Sequence, residues 1–124
     1  VQHRGCGEEV AEPAYVSSLR WLKQHQAVDG HWDVDGWADA CGVLPACPRD
    51  ATRGDALRDV GLTSLALLAF LSNDHTHRFG TFKREVAGAL KWLRARQSED
   101  GVVRGEVDHA RGLDDHLLAT TALC

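Results

Sequence analysis

Apolar residues recur at helical spacing along residues 13–26. Val16, Leu19 and Leu22 stand at three-residue steps with Trp21 beside them, while Arg20, Lys23 and Gln24 fall elsewhere. That is the stripe of an amphipathic, half-exposed helix, and Pro13 suits a first turn in which no amide donor is needed. The pattern returns over residues 82–97, where Phe82, Val86, Ala89, Leu90 and Leu93 oppose Lys83, Arg84, Lys91, Arg94 and Arg96. A different pattern lies between the two. From Val60 to Leu71 apolar residues cover every face, which predicts a helix buried all round with Asp59 capping its N-terminus. A matching start follows at Asp115-His116-Leu117-Leu118-Ala119-Thr120-Thr121-Ala122-Leu123, so Asp114-Asp115 reads as a second helix N-terminus.

The outer pattern is a true duplication. Leu19-Arg-Trp21-Leu22-Lys-Gln-His-Gln26-Ala-Val-Asp29-Gly30 recurs 71 positions later as Leu90-Lys-Trp92-Leu93-Arg-Ala-Arg-Gln97-Ser-Glu-Asp100-Gly101, with six identities in twelve positions. Each copy closes on Gln-x-x-Asp-Gly, where Gly can take the left-handed backbone that ends a helix and Asp favours the following turn. A unit is therefore an outer helix, a turn and an inner helix, and such units bury their apolar faces by stacking. The expectation is an all-α single domain over 1–124, with unit one at about 13–74 and unit two at about 81–124. The inner helices repeat at an offset of 56, so the connection across residues 31–58 is fifteen residues longer in unit one. Long connections without periodicity are usually functional or pinned by cross-links.

Leu22-x-x-x-Gln26-x-x-x-Gly30-x-Trp32 resembles the QW repeat of the squalene/oxidosqualene cyclase and protein prenyltransferase superfamily of α/α toroids. The second copy ends on Val103 in place of the aromatic. The resemblance implies that Trp21, Gln26, Asp29, Gly30 and Trp32, with Trp92, Gln97, Asp100 and Gly101, are structural, Gln26 and Trp32 forming a clasp between turns. The run from Asp59 to Leu71 followed by His75-Thr-His77 most resembles bacterial proteins described as prenyltransferase and squalene oxidase repeat-containing. Two units would then be a fragment of a larger ring.

That kinship directs attention to three chemistries. Class II cyclases protonate an alkene with an Asp-x-Asp-Asp motif; Asp33-Val34-Asp35-Gly36 offers the first two acids and a Gly in the third place, which favours a solvated turn. Protein prenyltransferases hold zinc with Asp, Cys and His, and Asp39, Cys41 and His116 are the nearest match, with Cys47, His75, His77 and His109 widening the choice. Cys41 and Cys47 are equally read as a local disulfide or as two small buried hydrophobes. His75 and His77 suit the C-terminal end of the buried helix, where a donor and a cation are favourable. Gly5-Cys6-Gly7-Glu8-Glu9 resembles the Gly-Cys-Gly-Glu-Gln thioester signature of complement and alpha-macroglobulin proteins, but Glu9 lacks the amide whose loss forms the thioester.

Composition narrows the partners. The net charge is −4 with basic residues interspersed among acids, so no footprint for a nucleic-acid backbone is visible. The longest uncharged run, fourteen residues from Val60 to Asn73, falls short of the roughly 18 that cross a bilayer, so no transmembrane segment is expected. The chain starts at Val1, contains no Met and stops at Cys124 inside an apolar pattern, which reads as a piece of a longer protein. Four cysteines leave the compartment open. The leading expectation is a non-catalytic repeat scaffold or binding module with no cofactor, which self-associates, meets further repeats, or holds a protein partner or apolar ligand. The alternative is a segment of an isoprenoid-processing enzyme, cyclase-like or zinc-dependent, and a thioester-domain-like module is a further one.

Overall fold

The computed structural model describes residues 12–41, 47, 54, 56–105 and 109–124; Cys6 and Glu9 lie outside them. Among the described residues four helices form, α1 (Ala14–Gln24), α2 (Asp59–Leu71), α3 (Lys83–Ala95) and α4 (His109–Leu123), with 3-10 turns at Trp37–Ala40 and Ala56–Arg58. The described residues contain no strand, only an isolated bridge between Gln97 and Val103. The chain is all-α, as the patterning requires.

α1 and α3 are two-sided. Leu19 is buried on α1, and Val86, Ala89, Trp92 and Leu93 are buried on α3. α2 lies between its neighbours, packing most extensively on α4 and then on α3. Val60, Ala66, Leu67 and Phe70 on it are buried, and Phe70 carries an aromatic chain to Trp32 at 5.9 Å and to Phe82 at 5.2 Å. Full burial of one such side chain stabilises by roughly 1.5–3 kcal/mol, so this cluster is the main favourable contribution to the fold.

Four expectations are corrected. α2 is not dry all round, because Leu65 on it is 52% exposed. Asp59 does not cap α2; Arg58 holds the N-cap position, and Asp59 Oδ1 instead accepts the Val34 amide at 2.9 Å, tying the long connection to the helix start. Asp114 and Asp115 do not begin a helix, since α4 starts at His109 and carries Asp115 inward. There Asp115 is fully buried with Arg58 Nε 3.5 Å away, and Gly61 leaves it room that a side chain would fill. A carboxylate so placed needs a cationic partner. Finally, the His75 ring does not close α2. Asn73 Nδ2 donates to Ala69 O at 2.8 Å and the His75 backbone amide to Phe70 O at 3.1 Å, while the His75 ring stands edge-on to Phe82 at 4.9 Å and His77 is exposed.

α1 and α3 end in the same corner. In the first, His25 N donates to Leu22 O, Gly30 N to Ala27 O and Ala27 N to His31 O, at 3.1, 2.9 and 2.9 Å. In the second, Arg96 N donates to Leu93 O, Gly101 N to Ser98 O and Ser98 N to Val102 O, at 3.0, 2.8 and 2.9 Å. Gly30 and Gly101 both have positive φ, +100° and +87°, which L side chains rarely adopt. Their surroundings differ. Gly30 lies against the backbone of Gly88 in the middle of α3, where a Cβ would meet Gly88 Cα at 2.9 Å and the Gly88 carbonyl more closely still; at Gly101 a Cβ would meet nothing nearer than Gln97 Nε2 at 3.8 Å.

Substitution separates the two causes. Gly101→Ala should cost only the backbone contribution, about 1 kcal/mol. Gly30→Ala adds overpacking against a helix backbone and should cost about 3 kcal/mol or more. Urea denaturation midpoints of the two variants check this, and equal losses would contradict the close approach at Gly88.

Candidate functional site

The sequence-predicted motif residues bond within their own corners, and Gln26 also bonds beyond its own. Gln26 Nε2 donates to Gly30 O at 2.8 Å within its own corner and to Glu85 O at 2.9 Å across the units. Gln97 Nε2 repeats only the first bond, to Gly101 O at 3.0 Å, and remains exposed. Trp32 is buried and its indole N–H donates to Leu22 O at 2.8 Å, a second bond to the carbonyl that also accepts the His25 amide at the end of α1. Its backbone amide donates to Thr63 Oγ1 at 3.0 Å on α2. Val103, the residue at the corresponding place, donates its amide to His116 Nδ1 at 3.1 Å on α4.

Trp92 lies between a ring and a cation. The His31 imidazole stacks on it at 4.9 Å between centroids, and the Arg96 guanidinium stands 3.3 Å from its centroid. Asp29 hydrogen-bonds His31, and although burial raises its pKa, these bonds to His31 carry it below the ordinary carboxylate value. Asp59 goes the other way: burial raises it, helped by the Asp33 charge, against the lowering bond from Val34. In the second corner the Ser98 hydroxyl donates to Asp100, which this bond and the Val102 amide hold below its usual range. None of these contacts requires a substrate; they fix corners.

Asp33 and Asp35 form a turn. Asp33 Oδ1 accepts the Asp35 and Gly36 amides at 3.1 and 2.7 Å. Burial raises Asp33, yet its hydrogen bonds, led by the one with Asp35, lower it overall, and Asp35 is raised chiefly by that same bond.

The long first connection folds back on the end of α1. Its 3-10 turn brings Trp37 to Trp21 at 5.7 Å and to the His25 ring at 5.5 Å, while Trp21 stacks on His25 at 3.8 Å. His25 is 1% exposed. Its Nδ1 lies 2.6 Å from Trp21 O, an oxygen that can only accept, so Nδ1 carries the proton and Nε2 presents a lone pair. That lone pair faces Cys47 Sγ at 3.1 Å, and Cys47 Sγ lies 2.8 Å from Cys41 Sγ, both residues being thiols here. The Cys47 thiol is raised mainly by its hydrogen bond with Cys41, then by burial and the neighbouring charge.

Cys41 thus meets partners other than those the zinc resemblance named. Among the described residues, the group whose ligand atoms gather within 4.8 Å is His25, Cys41 and Cys47; Asp39 and His116 are not in it. His116 is engaged instead with the Val103 amide. His25 escaped the sequence reading because it stands inside the repeat motif itself, at a position occupied by Arg96 in the second copy. That difference between the copies was the available signal. No protein-family model matches the chain, and neither a curated protein nor a solved structure was found to match it.

Asp59 generates a pH-dependent expectation. With its folded pKa raised, protonation is favoured in the folded state; ionisation costs stability as pH rises through the unfolded value near 4, and the cost is complete above the folded pKa. Asp59→Asn retains an oxygen for the Val34 amide and removes the charge. It should raise the denaturation midpoint at pH 7, with the difference closing below about pH 4. A lower midpoint at pH 7 would show that the charge is needed.

Proposed function

We propose that this chain is a non-catalytic helical-repeat module, of the α/α-toroid type its corners resemble, that holds a second copy of itself or a further repeat on the open face of α4. The observation that supports the reading is the pair Leu113 and Leu117, one helical turn apart and 58% and 56% exposed. The opposite side of α4, with Asp115, Ala119 and Ala122, is buried, and Leu118 reaches toward Gly61 of α2. An inner helix wet on one apolar face is what an incomplete stack leaves at its end.

The isoprenoid-processing reading requires an apolar chamber that shields a carbocation. The described grooves are walled differently. The groove of about 640 Å³ beside α3 is lined by His77, Lys91, Arg94 and Gln97 together with Leu90 and Leu123. That beside the start of α2 includes Asp59, Arg96 and Arg104. Such walls mix polar and apolar groups, with Trp92 the one aromatic side chain in the second groove, short of the aromatic-lined chamber that a carbocation needs.

Sedimentation equilibrium tests the module directly. The wild-type chain should associate with rising concentration, and the Leu113→Glu/Leu117→Glu variant should remain monomeric with unchanged helix content. A wild-type chain that stays monomeric at high micromolar concentration contradicts the proposal.

A further inference from the structure

We infer that His25, Cys41 and Cys47 form a zinc(II) site, with His25 Nε2 and the two Sγ atoms as ligands, that locks the first connection onto the end of α1. The inference is independent of what α4 binds.

Four features of the structure carry it. The donor set, two thiolates and an imidazole, is the kind that borderline-soft zinc selects. The imidazole is already set for coordination, because Trp21 O fixes Nδ1 as the protonated nitrogen and leaves Nε2 as the ligand atom. A backbone carbonyl holding the second ring nitrogen is the usual outer support of a metal-binding histidine. The dimensions are close. Zinc with Zn–S of ~2.3 Å and Zn–N of ~2.05 Å in a tetrahedron needs sulfurs ~3.8 Å apart and nitrogen ~3.6 Å from each sulfur. The present separations of 2.8 Å between the sulfurs and 3.1 Å from Nε2 to Cys47 call for an opening of about 1 Å or less, within reach of a small side-chain adjustment. Finally, Trp21 and Trp37 wall the imidazole and leave it almost no contact with water.

Two other uses of these groups fit less well. A cysteine nucleophile works with one histidine and needs room for its substrate, whereas here a second sulfur crowds Cys47 Sγ at 2.8 Å. A disulfide between Cys41 and Cys47 would leave the buried Nε2 lone pair without its thiol donor. On binding, each thiol gives its proton to solvent and its sulfur takes the metal in exchange, while His25 coordinates through the lone pair it already presents. The described residues thereby supply three ligands, and a water or another donor completes the tetrahedron.

The test uses the full chain, reduced and purified without chelator, then titrated with zinc chloride. One equivalent should bind and protect both Cys41 and Cys47 from thiol alkylation while exposed Cys124 continues to react. Cobalt(II) in place of zinc should give the near-ultraviolet charge-transfer absorption of thiolate coordination, and one equivalent of zinc should abolish it. Cys47→Ser should weaken zinc binding by at least about a hundredfold, whereas Cys124→Ser should leave it unchanged. Protection and cobalt spectra on the unsubstituted chain keep the test valid if Cys47→Ser impairs folding. The inference is overturned by failure to bind stoichiometric zinc, by equal alkylation of Cys41, Cys47 and Cys124 in its presence, or by a Cys41–Cys47 disulfide in the mass spectrum of the chain holding zinc.

Discussion

The structure depends on the contact of two glycines. Gly30, at positive φ, brings the first corner down on the backbone of Gly88, and only at that separation can Gln26 reach Glu85 O while still bonding Gly30 O. One side-chain amide therefore bonds two carbonyls, one in its own corner and one on α3. The glycine at 88 costs helix propensity of roughly 1 kcal/mol relative to alanine, and the close approach offsets it by admitting the corner. Once that corner is placed, His31 stacks on Trp92, Trp32 enters the core beside Phe70, and Val34 reaches Asp59.

The second corner has the same internal hydrogen bonds and none of this docking. Gly101 is spacious and Gln97 exposed, because among the described residues no helix packs on this corner as α3 packs on the first. A single corner geometry thus occurs once in a closed interface and once open. α4 likewise leaves Leu113 and Leu117 exposed.

The corners were legible in the sequence because they depend on residue types with few substitutes. A left-handed position asks for Gly, and a clasp between turns asks for an amide, so Gln26, Gly30, Gln97 and Gly101 announced themselves. α2 was equally plain from its apolar density. The start of α4 was not, since aligning Asp115 with Asp59 gave a buried, Arg58-paired carboxylate the role of a helix terminus. Gly88 passed unnoticed because an isolated glycine in an amphipathic helix reveals a cost but not what comes close to it. The cysteines were visible and their partner was not. His25 and Cys47 are separated by 22 residues, and their meeting depends on Trp37 packing against Trp21, a tertiary contact that spacing along the chain does not encode.

The central claim is that the corner after α1 rests on the middle of α3. The most direct measurement is a nuclear Overhauser effect between the α-protons of Gly30 and Gly88 in the isotopically labelled chain. The account predicts a strong cross-peak, with the Gln26 side-chain amide protons slowed in exchange by their bonds to Gly30 O and Glu85 O. A missing cross-peak with freely exchanging Gln26 amide protons would contradict it.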